Sequence, residues 1–176
     1  MRHLILLRHA KAEPSSPDGD FGRALAPRGV RQARRFAQWL AEQTFTPDLV
    51  IASAARRTRE TATLATASLT LPPLRIDERD LYNADGSEIL AVARHAPPAT
   101  TSLMLVGHNP GMAELASRLT GGGDALARKA MLRQFPTCAC AVLAFDIGDW
   151  SALGPAGGRL LAFITPRGLD SSEIDD

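Results

Sequence analysis

The sequence predicts an α/β fold, a three-layer sandwich with a mostly parallel central sheet and an antiparallel edge. Short apolar runs alternate with amphipathic helical stretches along most of the chain. The last two apolar runs follow one another without a helix between them, which implies an antiparallel pair. The three most polar junctions stand at the carboxyl ends of apolar runs, where ligands bind in open sheets of this class. A length of 176 residues suits one domain, expected over 1–166, followed by a polar, mobile tail over 167–176.

The elements follow in order. Residues 3–7 are apolar and end in charge, which predicts a buried strand. Pro14, Pro17 and Gly19 mark a loop. From Pro27 to Gln43 the apolar residues Val30, Ala33, Ala37 and Leu40 form one stripe, with Arg31, Arg34 and Arg35 mostly outside it, which predicts a helix. Leu49–Ile51 predicts a second strand, and Ser53 is placed to cap a helix from Ala55 to Ser68. Leu74 and Ile76 indicate a short extended piece. A helix is expected over 86–95, with Ser87 as its cap. Leu103–Val106 is a third buried strand, followed by a helix from Pro110 to Leu119 that the Gly121–Gly123 run stops. Cys138–Phe145 and Arg159–Ile164 are the closing strands.

Composition narrows the function. A net charge of +1 gives no global field for nucleic acid or a membrane surface. No apolar run is long enough to span a bilayer, and no secretory leader is expected. Cys138 and Cys140 suit neither a mutual disulfide nor a zinc site and are expected as reduced core residues, which points to the cytoplasm. No carboxylate cluster has metal-ligand spacing, so no metal or cofactor is expected. Nothing demands a dimer, so a monomer is expected.

The polar junctions carry the chemistry. Arg8-His9 leaves the first strand, Ser53 leads to Arg56, Arg57 and Thr61, and Gly107-His108-Asn109-Pro110 leaves the third. Each alone has a structural reading: a satisfied histidine, a solvated arginine face, a turn. Together they bring histidines and arginines to one crevice. Arginine forks grip phosphoryl oxygens, and a neutral imidazole can attack phosphorus. Neighbouring guanidinium charges disfavour imidazolium, so His9 should be neutral near pH 7.

Leu-Leu-Arg-His-Ala-Lys-Ala-Glu over 6–13, Ser53, Arg57 and Thr61 at their mutual spacing, and Val-Gly-His-Asn-Pro-Gly over 106–111 resemble the signatures of the histidine phosphatase superfamily. The Arg-His-Ala-Lys form, with Phe135-Pro136-Thr137, Trp150 and Thr165-Pro166-Arg167, resembles the SixA-like phosphohistidine phosphatase branch. The resemblance implies a phosphoglycerate-mutase-like fold and a phosphatase that works without metal through a phosphohistidine on the enzyme. His9 would be the nucleophile, Arg8 and Arg57 would hold the phosphoryl group, and His108 would bind it and stabilise the transition state. The spacing from Ser53 favours Arg57 over Arg56. Arg23, Lys11, Ser53 and Asn109 are further candidates for binding phosphate or substrate, although Lys11 is more simply paired with Glu13. An acidic proton donor is not cleanly aligned, and Glu78 and Asp80 are its candidates. Imidazole leaves more readily than an alkoxide, so a weak donor fits a phosphohistidine substrate. The expected partner is a phosphorylated protein carrying a phosphohistidine domain. The alternatives are a small phosphate ester turned over by a general phosphomonoesterase, or a phosphate-binding module without turnover.

Overall fold

The fold was obtained as a computed structural model that describes residues 1–171. Its strands are β1 (Arg2–Arg8), β2 (Leu49–Ser53), β3 (Leu74–Glu78), β4 (Ser102–Gly107), β5 (Thr120–Gly123), β6 (Cys140–Phe145) and β7 (Gly158–Ile164). Its helices are α1 (Pro27–Ala41), α2 (Arg56–Ala65), α3 (Gly86–Arg94), α4 (Gly111–Leu119), α5 (Ala125–Arg133) and α6 (Pro166–Ser171). The strands form one sheet in the order β3-β2-β4-β1-β6-β7-β5.

Period-two alternation builds the three layers. Leu4 and Leu6 of β1 face a core completed by α3, α4 and α5. Ile5 and Leu7 face the opposite core, which α1 fills with Ala33, Phe36 and Leu40 and α2 with Ala62 and Ala65. Both faces of the central strands are covered, as the continuous apolar runs require. The expected antiparallel pairing is present, because β6 runs against both β1 and β7.

β1 pairs in parallel with β4, and β4 with β2. Arg8 lies opposite Gly107, and Ala52 lies opposite Val106. The carboxyl ends of these three neighbouring strands therefore open on one crevice, at the centre of the sheet.

Several local expectations are corrected. The glycine run does more than stop a helix: Thr120–Gly123 is a strand pairing with β7. A Cβ on Gly121 would lie 1.9 Å from the Ala156 carbonyl oxygen, so only glycine permits this approach. Ser53 does not cap α2, whose N-cap is Ala55 without a side-chain bond. The cap of α3 is Asp85 rather than Ser87, in a capping box with Glu88. Cys138 precedes β6 in a left-handed turn at φ 60°, its N–H reaching the carbonyls of Arg8 and His9. Both cysteines are free and fully buried. Within the expected tail, 167–171 belong to α6, which packs along α1 with Leu169 against the core and Asp170 paired with Arg35. The remainder of that expected tail, 172–176, lies outside the described residues. Among the described residues no helix is long and apolar enough to cross a membrane.

Candidate active site

His9 follows the last residue of β1 and is 8% exposed. Its ring Nδ1 lies 2.8 Å from the Ala10 carbonyl oxygen. A carbonyl only accepts, so Nδ1 carries the proton and Nε2 carries the lone pair. Its backbone is fixed as well, with the His9 N–H on the Gly107 carbonyl and the next N–H, of Ala10, on the Thr61 hydroxyl at 3.0 Å. Burial first, then the positive charges of Arg57, Arg8 and Arg23, push His9 down to about 4, against the opposing effect of the Ala10 carbonyl. The residue is a neutral imidazole with a defined tautomer.

Arg57 rises from the first turn of α2 with a side chain 5% exposed. It donates to the Asp20 carbonyl at 2.7 Å, to the Asp20 carboxylate at 3.1 Å and to His108 Nδ1 at 3.2 Å. Arginine has no acceptor, so His108 Nδ1 is the unprotonated nitrogen. Its Nε2–H donates to Ser53 Oγ at 2.8 Å. Burial, followed by the charges of His9 and Arg57, pushes His108 down to about 3. The two histidine rings stand 5.3 Å apart. His108 is expected to donate to a phosphoryl group, but its one proton is committed to Ser53. An arriving phosphate dianion would favour imidazolium, with the second proton taken up from solvent.

Arg8 donates to the Phe135 carbonyl at 2.9 Å, and Asn109 Nδ2 donates to the same oxygen at 2.8 Å. Arg8 Nε, Arg57 Nε and Asn109 Oδ1 are buried without a hydrogen-bond partner. Buried N–H groups without an acceptor are rare in native proteins, and an oxyanion would provide one.

The remaining candidates separate. Arg23 is half-buried, donates to the Glu13 carbonyl at 3.0 Å and lies 2.9 Å from the Asp20 carboxylate. Ser53 is fully buried as the partner of His108. Asn109 fastens the 135 segment to the crevice. Lys11 is exposed, and the described residues contain no Lys11–Glu13 ion pair; the Glu13 backbone carbonyl accepts from Arg23. Glu78 accepts from the Asp80 backbone N–H at 3.0 Å, and Asp80 is exposed. Both border a cavity of about 840 Å³ beside Tyr82, and neither is bonded to His9, Arg8, Arg57 or His108. Arg56 pairs with Glu60 outside this network.

The sequence puts Asp20 in a loop that could border the crevice but gives neither it nor Tyr82 a role. The Asp20 carboxylate accepts from Tyr82 OH at 2.7 Å as well as from Arg57. The Tyr82 bond and the arginine charges hold it below the usual carboxylate range. Tyr82 packs edge-on to His108 at 5.6 Å and lies under the Arg57 guanidinium at 6.0 Å. Among the described residues no three His, Cys, Asp or Glu side chains gather at metal-binding spacing.

The sequence model of the histidine phosphatase superfamily (branch 1) matches residues 4–81. An uncharacterised Mycobacterium tuberculosis protein is 36% identical over 165 residues, spanning 92% of this chain and all of its own. A Nakamurella multipartitia structure, provisionally named phosphohistidine phosphatase SixA, superposes with a TM-score of 0.81 at 32% identity. The match covers 94% of this chain and 96% of that one. A protein histidine phosphatase SixA solved with tungstate shares the fold, with a TM-score of 0.76 at 22% identity over 95% of this chain and 99% of its own.

Proposed function

Since the chain belongs to the histidine phosphatase superfamily, in its SixA-like branch, we propose that it removes phosphate from phosphohistidine in a protein, without metal, through a phospho-His9 intermediate. The observation that carries this reading is the His9 tautomer: the Nδ1–H on the Ala10 carbonyl leaves the Nε2 lone pair as the nucleophile. Nε2 forms a bond to phosphorus as the bond from phosphorus to the leaving imidazole breaks. That imidazole takes up a proton from water. Water then attacks phospho-His9, its N–P bond breaks, and orthophosphate leaves. Arg8 and Arg57 offset the charge on the phosphoryl oxygens in both steps.

The carboxylates favour a nitrogen leaving group over an alkoxide. Asp20 is held ionised by Tyr82 and Arg57 and is a poor acid. Glu78 is occupied with the Asp80 backbone. The second reading, a small-molecule phosphomonoesterase, draws support from the cavity that Glu78 and Asp80 border. It requires that Glu78→Gln or Asp80→Asn cripple ester hydrolysis.

The test is hydrolysis of a phosphohistidine-bearing protein and of para-nitrophenyl phosphate, each in EDTA, by wild type and His9→Ala. Fast release from phosphohistidine with an acid-labile phosphoenzyme, both lost in the variant, is the expected result. Equal or better turnover of the ester would favour the second reading. No turnover of either by a folded protein would overturn both.

A further inference from the structure

Two adjoining cavities, about 620 and 460 Å³, run along the outer face of α1 beside α6 and the end of α5. They share Arg28, Gln32, Pro166 and Arg167. Arg28, Arg31 and Arg35 follow one another at helical spacing on α1, and Arg133 closes the far end on α5. Among the described residues the carboxylate in this groove is Asp170, and it is paired with Arg35. Among the described residues no carboxylate lies within ion-pair distance of Arg28, Arg31 or Arg133, whereas elsewhere Arg56 is paired with Glu60 and Arg75 with Asp77.

The groove touches the active site through the chain itself. Gln134, Pro136 and Thr137 line it, and the carbonyl of Phe135, between them, holds both Arg8 and Asn109. A segment seated in the groove would lie against the strip of backbone that positions Arg8.

Resting on the phosphohistidine-protein reading, we propose that this groove docks an acidic segment of the phosphorylated protein. Arg28, Arg31 and Arg133 repel one another, and guanidinium forks match carboxylates two bonds at a time. The chain as a whole carries only +1, so the positive field is local. A local field suits a short acidic patch on a folded partner better than a polyanion that tracks a long basic surface. Docking beside the site would raise the concentration of the phosphohistidine at His9 without any new contact to the phosphoryl group.

The test is the triple variant Arg28→Glu, Arg31→Glu, Arg133→Glu. On a phosphohistidine protein its KM should rise roughly tenfold or more at low salt, with kcat kept and the difference shrinking as salt is added. Turnover of para-nitrophenyl phosphate should be unchanged, which also shows that the fold is intact. Unchanged KM for the protein overturns the proposal. A second arm stands apart from the enzymatic reading: a fluorescein-labelled Asp/Glu-rich peptide, followed by anisotropy, should bind wild type and not the variant. If that holds while phosphohistidine is not hydrolysed, the reaction reading fails and the groove stands. Equal peptide binding by both proteins, or displacement of the peptide by a lower concentration of an oligonucleotide of equal charge, overturns the groove.

Discussion

Asp20 binds Arg57 through both its carboxylate and its carbonyl, and also holds Tyr82 and Arg23. It lies 37 positions from Arg57 and 62 from Tyr82 in the chain. That is why the sequence can bring this loop to the crevice but cannot say what Asp20 holds there. Arg8, His9 and His108 could be gathered from sequence because each stands at or just beyond an apolar strand, and Arg57 because its spacing from Ser53 puts it in the helix that follows one. Asp20 and Tyr82 stand on turns whose destinations no periodicity reports. Asp20 is a positioning residue. Asp20→Asn keeps its shape but weakens its grip on two guanidinium groups, and should lower kcat/KM by about 10- to 100-fold. Arg57→Lys in the Asp20→Asn background should then cost less than it does alone, because the two changes share one interaction. A strictly additive double-variant cycle would contradict this.

At the scale of elements, α1 is bound tightly to the loop that follows His9. A Cβ on Gly29 would lie 2.0 Å from the Lys11 carbonyl oxygen, and that oxygen already accepts from the Ala26 N–H. Neither partner is a flexible side chain, so Gly29→Ala must push helix and loop apart. The expected loss is about 1 to 3 kcal/mol. That corresponds to a fall in Tm of some 2–4 °C per kcal/mol for a chain of this size. Phosphatase activity should fall with it, because Lys11 is two residues from His9. Thermal unfolding and turnover of one preparation check both. The helices and strands with strong apolar periodicity were readable from sequence, α1 and β4 above all. β5 was not, because Thr-Gly-Gly-Gly has the composition of a breaker and becomes a strand only where β7 offers an edge. Ser53 misled for a related reason: a hydroxyl before a helix suggests a cap, but His108 takes it.

For the whole molecule, two buried imidazoles make stability depend on acidity. Above pH 6.5 the folded and unfolded chains both hold His9 and His108 neutral, and nothing is gained or lost. As pH falls below 6.5 the unfolded chain binds protons that the folded one refuses until about 4 for His9 and about 3 for His108, so stability declines across that window. For His9 alone, a shift from 6.5 to about 4 corresponds to roughly 3 kcal/mol. Urea midpoints should therefore drop between pH 7 and about pH 4.5, with a smaller drop in His9→Asn. Midpoints that do not move would show that the site is not dry.

Cys138 and Cys140 give the molecule one more property. Their thiols are sealed under the backbone of His9, and burial pushes Cys138 up to about 12 and Cys140 well above its usual value. Peroxides attack thiolates, and these sulfurs are almost never ionised. These two sulfurs therefore serve as packing, and a peroxide finds no thiolate at either of them.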